Sequence, residues 1–437
     1  MNTEIFANKL LELDPAVRGD RITGERYYTR EWMKAEWEKV WTRVWHIGGC
    51  AADLEETGDF LVHNIGAESV VMLKQKDGSI RAFYNACAHR GYRLAWTEIG
   101  GAEALTCAYH GWKWAPDGTL LEVQDPEDFP LGNPCGRTKL VEVACEVWMG
   151  FVWINMDRNA PSVRAWLGPI ADQIDSWQPE RMTRILYLTA EVDCNWKIIR
   201  DNFNESYHIP TVHPEIKNII DDDYRETLFE MYPNTHNHMV MKGVRPSGRY
   251  PTQDIVEPPL ADALTYWGLD PKAFEDRAMD ARVAIQQQKR KHGVERGYAH
   301  YATMTDSQLT DYHHYTLFPN VTFTMWPDGF QVLRSEPHPT DPEKCVFDHW
   351  FVSHAPVPGT DQVDGPMGPM TFKRAERVRG RYGEMELGPV AEQDLSIAEG
   401  QQLGLHSRGY WGGLLPNQEK RVQRFHEILN DYIEGRR

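Results

Sequence analysis

The chain has 437 residues, 41% hydrophobic and 11% aromatic, with sixteen tryptophans and a formal net charge of −17. That length permits a sizeable core in two domains or one large one, and that charge argues against nucleic acid or an anionic membrane as a partner. No apolar run approaches the roughly eighteen residues that a membrane span needs. The opening MNTEIFANKLLELDP has early acids and no basic-then-apolar secretory pattern. Seven cysteines, an odd and irregularly spread set, make a poor disulfide framework and fit a reduced, cytoplasmic chain.

In chain order, Thr29 to Trp45 reads as one helix, capped by Thr29. Met33, Trp37, Trp41 and Val44 recur at three- and four-residue spacing and draw a core-facing apolar stripe. From about Gly48 the texture changes to short strands and tight turns. GDFLVHNI, SVVMLKQ and IRAFYN are β-rich, and Lys76-Asp77-Gly78-Ser79 joins the last two as a hairpin. LTCAYHGWKW and TLLEV follow around Pro116-Asp117-Gly118, and Val147 to Met156 reads as a buried strand. Gln124 to Gly136 is a proline-rich loop. A small all-β unit is therefore expected over 46–158.

The rest, 1–45 and 159–437, forms a second, mixed part. Val163 to Trp177 reads as helical, Arg184 to Asp193 as a strand and Asn195 to His208 as a helix. Strands return with ETLFEMYP, HMVMKGV, NVTFTMW, FQVLRSEP and KCVFDHWFVSH, the third turning into the fourth at Pro327-Asp328-Gly329. Helical patterns fall at Pro271 to His292 and Gly365 to Glu386. Two more end the chain, over Gly388 to Leu405 and in NQEKRVQRFHEILNDYIEG. Runs of strands rather than strict alternation define an α+β chain.

Two stretches carry chemistry. The first is Cys87-Ala88-His89 and, seventeen residues on, Cys107-Ala108-Tyr109-His110. Two thiolates and two imidazoles can hold zinc or an iron–sulfur cluster. Zinc favours C-x-x-C with H-x3–5-H. One cysteine and one histidine in each half suits instead two facing loops and a Rieske [2Fe–2S] centre, with the cysteines on one iron and the histidines on the other. Gly91 and Gly111 allow tight loops with N–H groups aimed at sulfur. Cys50, Cys135, Cys145, Cys194 and Cys345 have no ligand-like spacing and read as buried free thiols.

The second stretch is DNFNESYHIPTVH, Asp201 to His213. Glu205 and His208 are placed on the last turn of a helix, and Pro210 bends the chain so that His213 swings to the same point. Two imidazoles and a carboxylate on one face of a metal with open positions mark a mononuclear non-haem Fe(II) oxygenase site. A core histidine and a surface histidine near a proline are the bland reading of the same residues.

CAHRG followed by CAYHGW is the Rieske motif. With NWKIIRDNFNESYHIPTVHP after it, the chain resembles the large, oxygenase subunit of Rieske non-haem iron ring-hydroxylating oxygenases. The resemblance covers nearly the whole chain, including VAEQDLSIAEGQQLGL, where the family supplies its third iron ligand. It implies a cluster on Cys87, His89, Cys107 and His110, and Fe(II) on His208, His213 and Asp394, with Glu392 and Glu399 as neighbouring candidates for the third position. It implies a larger catalytic domain whose antiparallel sheet is flanked by helices, of helix-grip (START-like) type. It also implies that Glu205, where many relatives carry aspartate, joins the cluster of one subunit through His110 to His208 of its neighbour in a homotrimer, with or without a small β subunit.

The activity so implied is O2-dependent hydroxylation of a small aromatic compound, by cis-dihydroxylation or by monooxygenation with O- or N-demethylation. Electrons come from NAD(P)H through a separate ferredoxin or flavin reductase, since the chain has no G-x-G-x-x-G opening a helix after a strand. Asn202 is expected at the catalytic site, with Tyr207 and Trp196 around the metal. Phe229, Met231, Met239, Met241, Val321, Phe323, Met325 and Phe330 are candidate pocket walls, about half of which can face inward. His236, His238, Arg245 and Arg249 are candidate polar handles. The rivals from other classes are a Rieske electron carrier without catalytic iron and a zinc-stabilised binding protein.

Overall fold

The computed structural model describes residues 17–250 and 255–437, so the opening MNTEIFANKLLELDP, with its lack of a secretory pattern, lies outside the described residues. The described chain divides into two compact units: Ala35–Trp166, and the residues up to Lys34 together with Leu167–Arg437.

The smaller unit is β-rich. Its seven-stranded sheet runs, edge to edge, His46–Cys50, Phe151–Asn155, Glu142–Trp148, Ile80–Tyr84, Glu68–Lys74, Asp59–Ile65 and Ile99–Gly101. The expected hairpin joins Glu68–Lys74 to Ile80–Tyr84, with Asp77 Oδ1 accepting from Ser79 N–H at 2.9 Å. The segment expected as one strand over Val147 to Met156 is a hairpin instead. It turns at Met149-Gly150, both with positive φ, because the run VWMGFVWIN folds back to bury its aromatic half. A three-stranded sheet of Leu105–Thr106, Lys113–Trp114 and Leu120–Glu122 carries the second Cys-His loop. Cys87 and Cys107 belong to the apolar cluster of Phe60, Val71, Phe83, Trp114 and Leu120.

The larger unit is built on a nine-stranded sheet. Its path is Ile220–Asp221, Asn237–Gly243, Tyr312–Leu317, Val321–Trp326, Gly329–Pro337, Cys345–Ser353, Thr183–Val192 and Val378–Arg381; Leu228–Met231 pairs beside Asn237–Gly243. All pairings are antiparallel except the last of the path. Of this sheet's strands, Tyr312–Leu317 is the longest of those missed in the sequence. Its YHHYTL hides the alternation, because both faces carry polar aromatic rings: His313 and Tyr315 stack with His238 on one side, while Tyr312 and His314 line a cavity on the other.

Several helical expectations are corrected. The first helix is Arg30–Glu36 and continues as a wider π-turn over Trp37–Trp41; Thr29 Oγ1 accepts from Trp32 N–H at 3.4 Å. Val163 to Trp177 breaks into Val163–Leu167 and Pro169–Asp175 around Gly168-Pro169. Helix Trp196–Asn202 stops well before His208. Gly365 to Glu386 is not helical: its prolines and glycines leave the hairpin Gln362–Gly365/Gly368–Thr371 and the edge strand Val378–Arg381. The terminal pair is three helices, Pro389–Ser396, Ala398–Leu405 and Lys420–Ile433. None of the seven cysteines forms a disulfide, but Cys135 and Cys145 are only partly buried.

The sheet interior is pinned by a buried ion pair. Arg334 Nε lies 2.9 Å from Asp348 Oδ2, and Arg377 and Thr189 bond the other oxygen at 3.2 and 2.5 Å. The arginines hold the Asp348 carboxyl well below the usual range despite its burial. Arg334→Met leaves this charge half-compensated. Its expected cost is about 3 kcal/mol, read as a lower chemical-denaturation midpoint of the larger unit.

Candidate metal centres and catalytic cavity

The two Cys-His loops share one backbone design. Cys87 N–H donates to Tyr92 O and Gly91 N–H to Cys87 O, at 2.8 and 2.9 Å; Cys107 N–H donates to Trp112 O and Gly111 N–H to Cys107 O, at the same two distances. Gly91 and Gly111 hold φ of +75° and +69°, a conformation that disfavours any side chain. Only the histidine offset differs, two residues after Cys87 and three after Cys107. Both sulfurs are buried, and the two rings meet edge to face with centroids 4.6 Å apart. His89 stacks on Trp112 at 4.6 Å.

Burial pushes the Cys87 thiol up, while the His89 backbone N–H facing the sulfur pulls it back. The Nδ1 of His110 is buried without a hydrogen-bond partner. An orphaned ring nitrogen beside two buried thiols and a second imidazole fits a cluster with two sulfur and two nitrogen ligands.

In the larger unit His208 and His213 bracket a single helical turn, Ile209–Val212. His208 is its N-cap, and Pro210 sits in the first turn, where its missing N–H is harmless. The histidines are thus not reached from the end of a long helix, as expected, but from either end of a short one. Asp394 comes from helix Pro389–Ser396. The ligand atoms of His208, His213 and Asp394 lie within 4.8 Å of one another, the one such group of three among the described residues. His208 Nε2 is 3.3 Å and His213 Nε2 2.8 Å from Asp394 Oδ1. Glu392 instead turns back to the residue before the helix N-cap, accepting from Leu387 N–H at 2.9 Å, and Glu399 faces solvent. The expected continuous face through Gln401 fails because the helix breaks at Ile397; Gln402 is buried in its place.

Both imidazoles are held from behind. His208 Nδ1 donates to Glu205 Oε1 at 2.5 Å, and His213 Nδ1 to Gln393 Oε1 at 2.8 Å. Glu205 also accepts from the Tyr207 and His208 backbone N–H groups, and its side chain is only 9% exposed. With Nδ1–H so committed, each ring in its neutral form turns an Nε2 lone pair toward Asp394. Two lone pairs against a carboxylate need a cation between them.

A proton on Nε2 meets the same need, and the electrostatics favour one. Burial pulls His208 down, but its bonds to Asp394 and Glu205 outweigh this and hold it at about 10; His213 is raised likewise, and Asp394 is lowered by both rings against its burial. The donor set of two imidazoles and one carboxylate fits mononuclear iron. Gln393, adjacent to Asp394 in sequence, was not found by sequence reasoning, since an amide before a ligand carries no spacing signal.

A cavity of about 250 Å³ opens beside these residues. Ile209, Ile216, Ile220, Met241, Leu333 and Val390 supply apolar wall, and Tyr312, His314, Thr324, Gln331 and His349 are polar. Of the eight apolar candidates only Met241 lines it. Thr324 faces the cavity, so its neighbours Phe323 and Met325 face away. The four polar handles are elsewhere: His236 accepts from Phe318 N–H, His238 pairs with Glu230, and Arg245 and Arg249 pair with Asp221 and Asp222. The acids of the Asp221-Asp222-Asp223 run had already claimed both arginines. Asn202 does line the cavity, and neither end of its buried amide has a hydrogen-bond partner. Trp196 packs on Phe425, and Tyr207 is half exposed.

A cluster-type pair of Cys-His loops and a two-histidine, one-carboxylate site beside an apolar cavity define an iron-dependent oxygenase chain. Comparison with known families agrees. Residues 44–133 match the Rieske [2Fe-2S] domain and residues 179–435 the ring hydroxylating alpha subunit (catalytic domain). The chain belongs to the ring-hydroxylating oxygenase alpha-subunit family, with a Rieske [2Fe–2S] domain and a catalytic domain that binds mononuclear non-haem iron. Enzymes of this family use O2 and take electrons from a separate reductase or ferredoxin.

It is 32% identical over 207 residues to the carnitine monooxygenase oxygenase subunit of Escherichia coli (strain K12), covering 46% of this chain and 55% of that protein, so the match spans about half of that relative's length. It is 27% identical over 361 residues to the biphenyl 2,3-dioxygenase subunit alpha of Rhodococcus jostii (strain RHA1), covering 80% and 74%. The fold is that of a quaternary ammonium Rieske monooxygenase, with TM-score 0.67 at 18% identity over 99% and 98% of the two chains. Naphthalene 1,2-dioxygenase gives 0.66 at 18% identity over 94% and 92%. No helix among the described residues is long and apolar enough to cross a membrane.

Metal analysis checks the two centres. The purified protein should hold about three irons and two acid-labile sulfides per chain. Asp394→Asn, which removes the anionic ligand, should lower iron to about two per chain and leave the sulfide and the cluster spectrum unchanged. Zinc in place of iron would indicate the binding-protein alternative, and two irons in the unaltered chain the electron carrier.

Proposed function

We propose that this protein is a terminal oxygenase that hydroxylates an aromatic or similarly apolar small molecule. The observation that carries this reading is the meeting of His208, His213 and Asp394 at the wall of a mostly apolar cavity. His208, His213 and Asp394 are assigned to iron, and Cys87, His89, Cys107 and His110 to the cluster. The cluster domain is taken as 46–158, with 1–45 and 159–437 catalytic. When bound, the cluster supplies electrons singly and the iron supplies O2 activation.

The chain's own residues do the rest. Glu205 and Gln393 fix the two ring tautomers, so both Nε2 atoms stay available. The isoleucines and Met241 exclude water from the reacting carbon. Asn202 presents a free amide to the cavity, where it can orient substrate. Glu205 is also assigned the link to a neighbouring subunit's His110 in a homotrimer, since one carboxylate can accept from two ligating imidazoles. NAD(P)H, through a ferredoxin or flavin reductase, is the electron source, and the cytoplasm is the location. A second reading, oxidative demethylation at nitrogen or oxygen, is supported by the 32% identity to a carnitine monooxygenase subunit.

The test uses the holoprotein with a surrogate reductase. Substrate-dependent O2 uptake with an oxygenated or demethylated product supports the reading; a reducible cluster with no product from any apolar substrate overturns it. Glu205→Gln should retain both metals but turn over about 100-fold more slowly, with the prereduced cluster reoxidised correspondingly slowly by O2 and substrate.

A further inference from the structure

One wall of the cavity is a row of polar side chains on adjacent strands. His314 pairs in register with Thr324, and Thr324 with Gln331. All three line the cavity, as does His349 on the next strand. Thr324 Oγ1 and His314 Nδ1 bond each other at 3.2 Å.

Gln331 and His349 form the informative pair. His349 is 1% exposed and makes two hydrogen bonds: its Nδ1 lies 2.8 Å from the Leu387 carbonyl oxygen, and its Nε2 lies 2.5 Å from the end of the Gln331 side-chain amide, with Oε1 as the facing atom. A carbonyl only accepts, so the proton is on Nδ1. Burial holds His349 down at about 4, which keeps the ring neutral with a single N–H. Its Nε2 is therefore a lone pair and needs a donor. The two ends of a glutamine amide are nearly alike in shape and are assigned from their partners; a lone pair on Nε2 repels Oε1, so the amide is turned over to present its NH2 end. The carbonyl oxygen of Gln331 is left for the cavity. The anchor is firm, because Leu387 is itself tied through its N–H to Glu392, in the helix that carries Asp394.

The charges nearby point the same way. Glu205 and Asp394 face the cavity, and no lysine or arginine lines it among the described residues. With iron bound, Asp394 and Glu205 offset the metal's charge, so a substrate carboxylate at that wall would meet the Gln331 oxygen with no side-chain counter-charge. A hydroxyl, an N–H or an ammonium group would meet an acceptor already held in place, so little ordering is lost on binding.

We infer that Gln331 is a specificity-determining residue whose carbonyl oxygen selects a neutral or cationic substrate bearing a hydrogen-bond donor, and rejects carboxylates. This rests on the oxygenase reading of the same cavity, and binding separates the two. The holoprotein, with cluster and ferrous iron and without O2, is titrated by calorimetry with 4-methylphenol, benzylamine, 4-methylanisole and 4-methylbenzoate. The phenol and the amine should bind about tenfold more tightly than the anisole, and the benzoate should not bind measurably.

Gln331→Met, similar in shape but without the oxygen, should bring the phenol and anisole together; Gln331→Glu should increase the preference for the amine. Equal or tighter binding of the anisole or the benzoate, an unchanged phenol-to-anisole ratio in Gln331→Met, or no binding of either donor-bearing probe would overturn the inference. Loss of O2 uptake with the binding ratios intact would instead count against the oxygenase reading alone.

Discussion

Two imidazoles, each tied through Nδ1 to its own acceptor, are made to turn their remaining lone pairs on one buried carboxylate. Much of the larger unit can be understood as the means of holding that arrangement. Glu205 and Gln393 provide the ties, at 2.5 and 2.8 Å. The short turn Ile209–Val212 sets the spacing of the rings, and helix Pro389–Ser396 brings Asp394 between them. Where no metal sits, such a set takes up a proton in its place, which is why Asp394 and Glu205 hold His208 well above the ordinary imidazole range. The site is therefore arranged for a metal before one arrives, which is what an open-sided centre requires.

The smaller unit reaches a similar end by other means. Its sulfurs are buried in an apolar cluster rather than surrounded by charge, and two near-identical backbone turns present them. Burial disfavours a free thiolate, so the thiols gain by sharing their charge with metal. Placing the histidine one position later in the second turn changes its surroundings: His89 is exposed, whereas His110 is partly covered with a ring nitrogen left over.

The legibility of the chain follows where its signals are local. Gly91, Gly111 and the cysteine spacings are local, and the loops were readable from them. The β-rich runs are apolar and bounded by turn residues, and were found. Tyr312–Leu317 was missed because rings on both faces erase the alternation, and the row that includes His314 went with it. Gly365 to Glu386 was misread because charged residues suggested a helix that its glycines and prolines forbid. Asp394 was legible only by resemblance, since nothing in its own spacing separates it from Glu392 and Glu399. Cavity walls were the least legible of all. Which face of a strand turns inward is decided by its neighbours in the sheet, so Thr324 and Gln331 took places assigned to Phe323 and Phe330.

The turn between His208 and His213 sets a limit on how this gene can change. Four residues of helix with a proline near the start have no slack to absorb a change in length. Inserting or deleting one residue there would rotate the second ring by roughly 100° about the helix axis, pointing it into the protein. Side chains at Thr211 and Val212 can be exchanged without that consequence. The segment should therefore drift in composition among descendants while its residue count stays frozen.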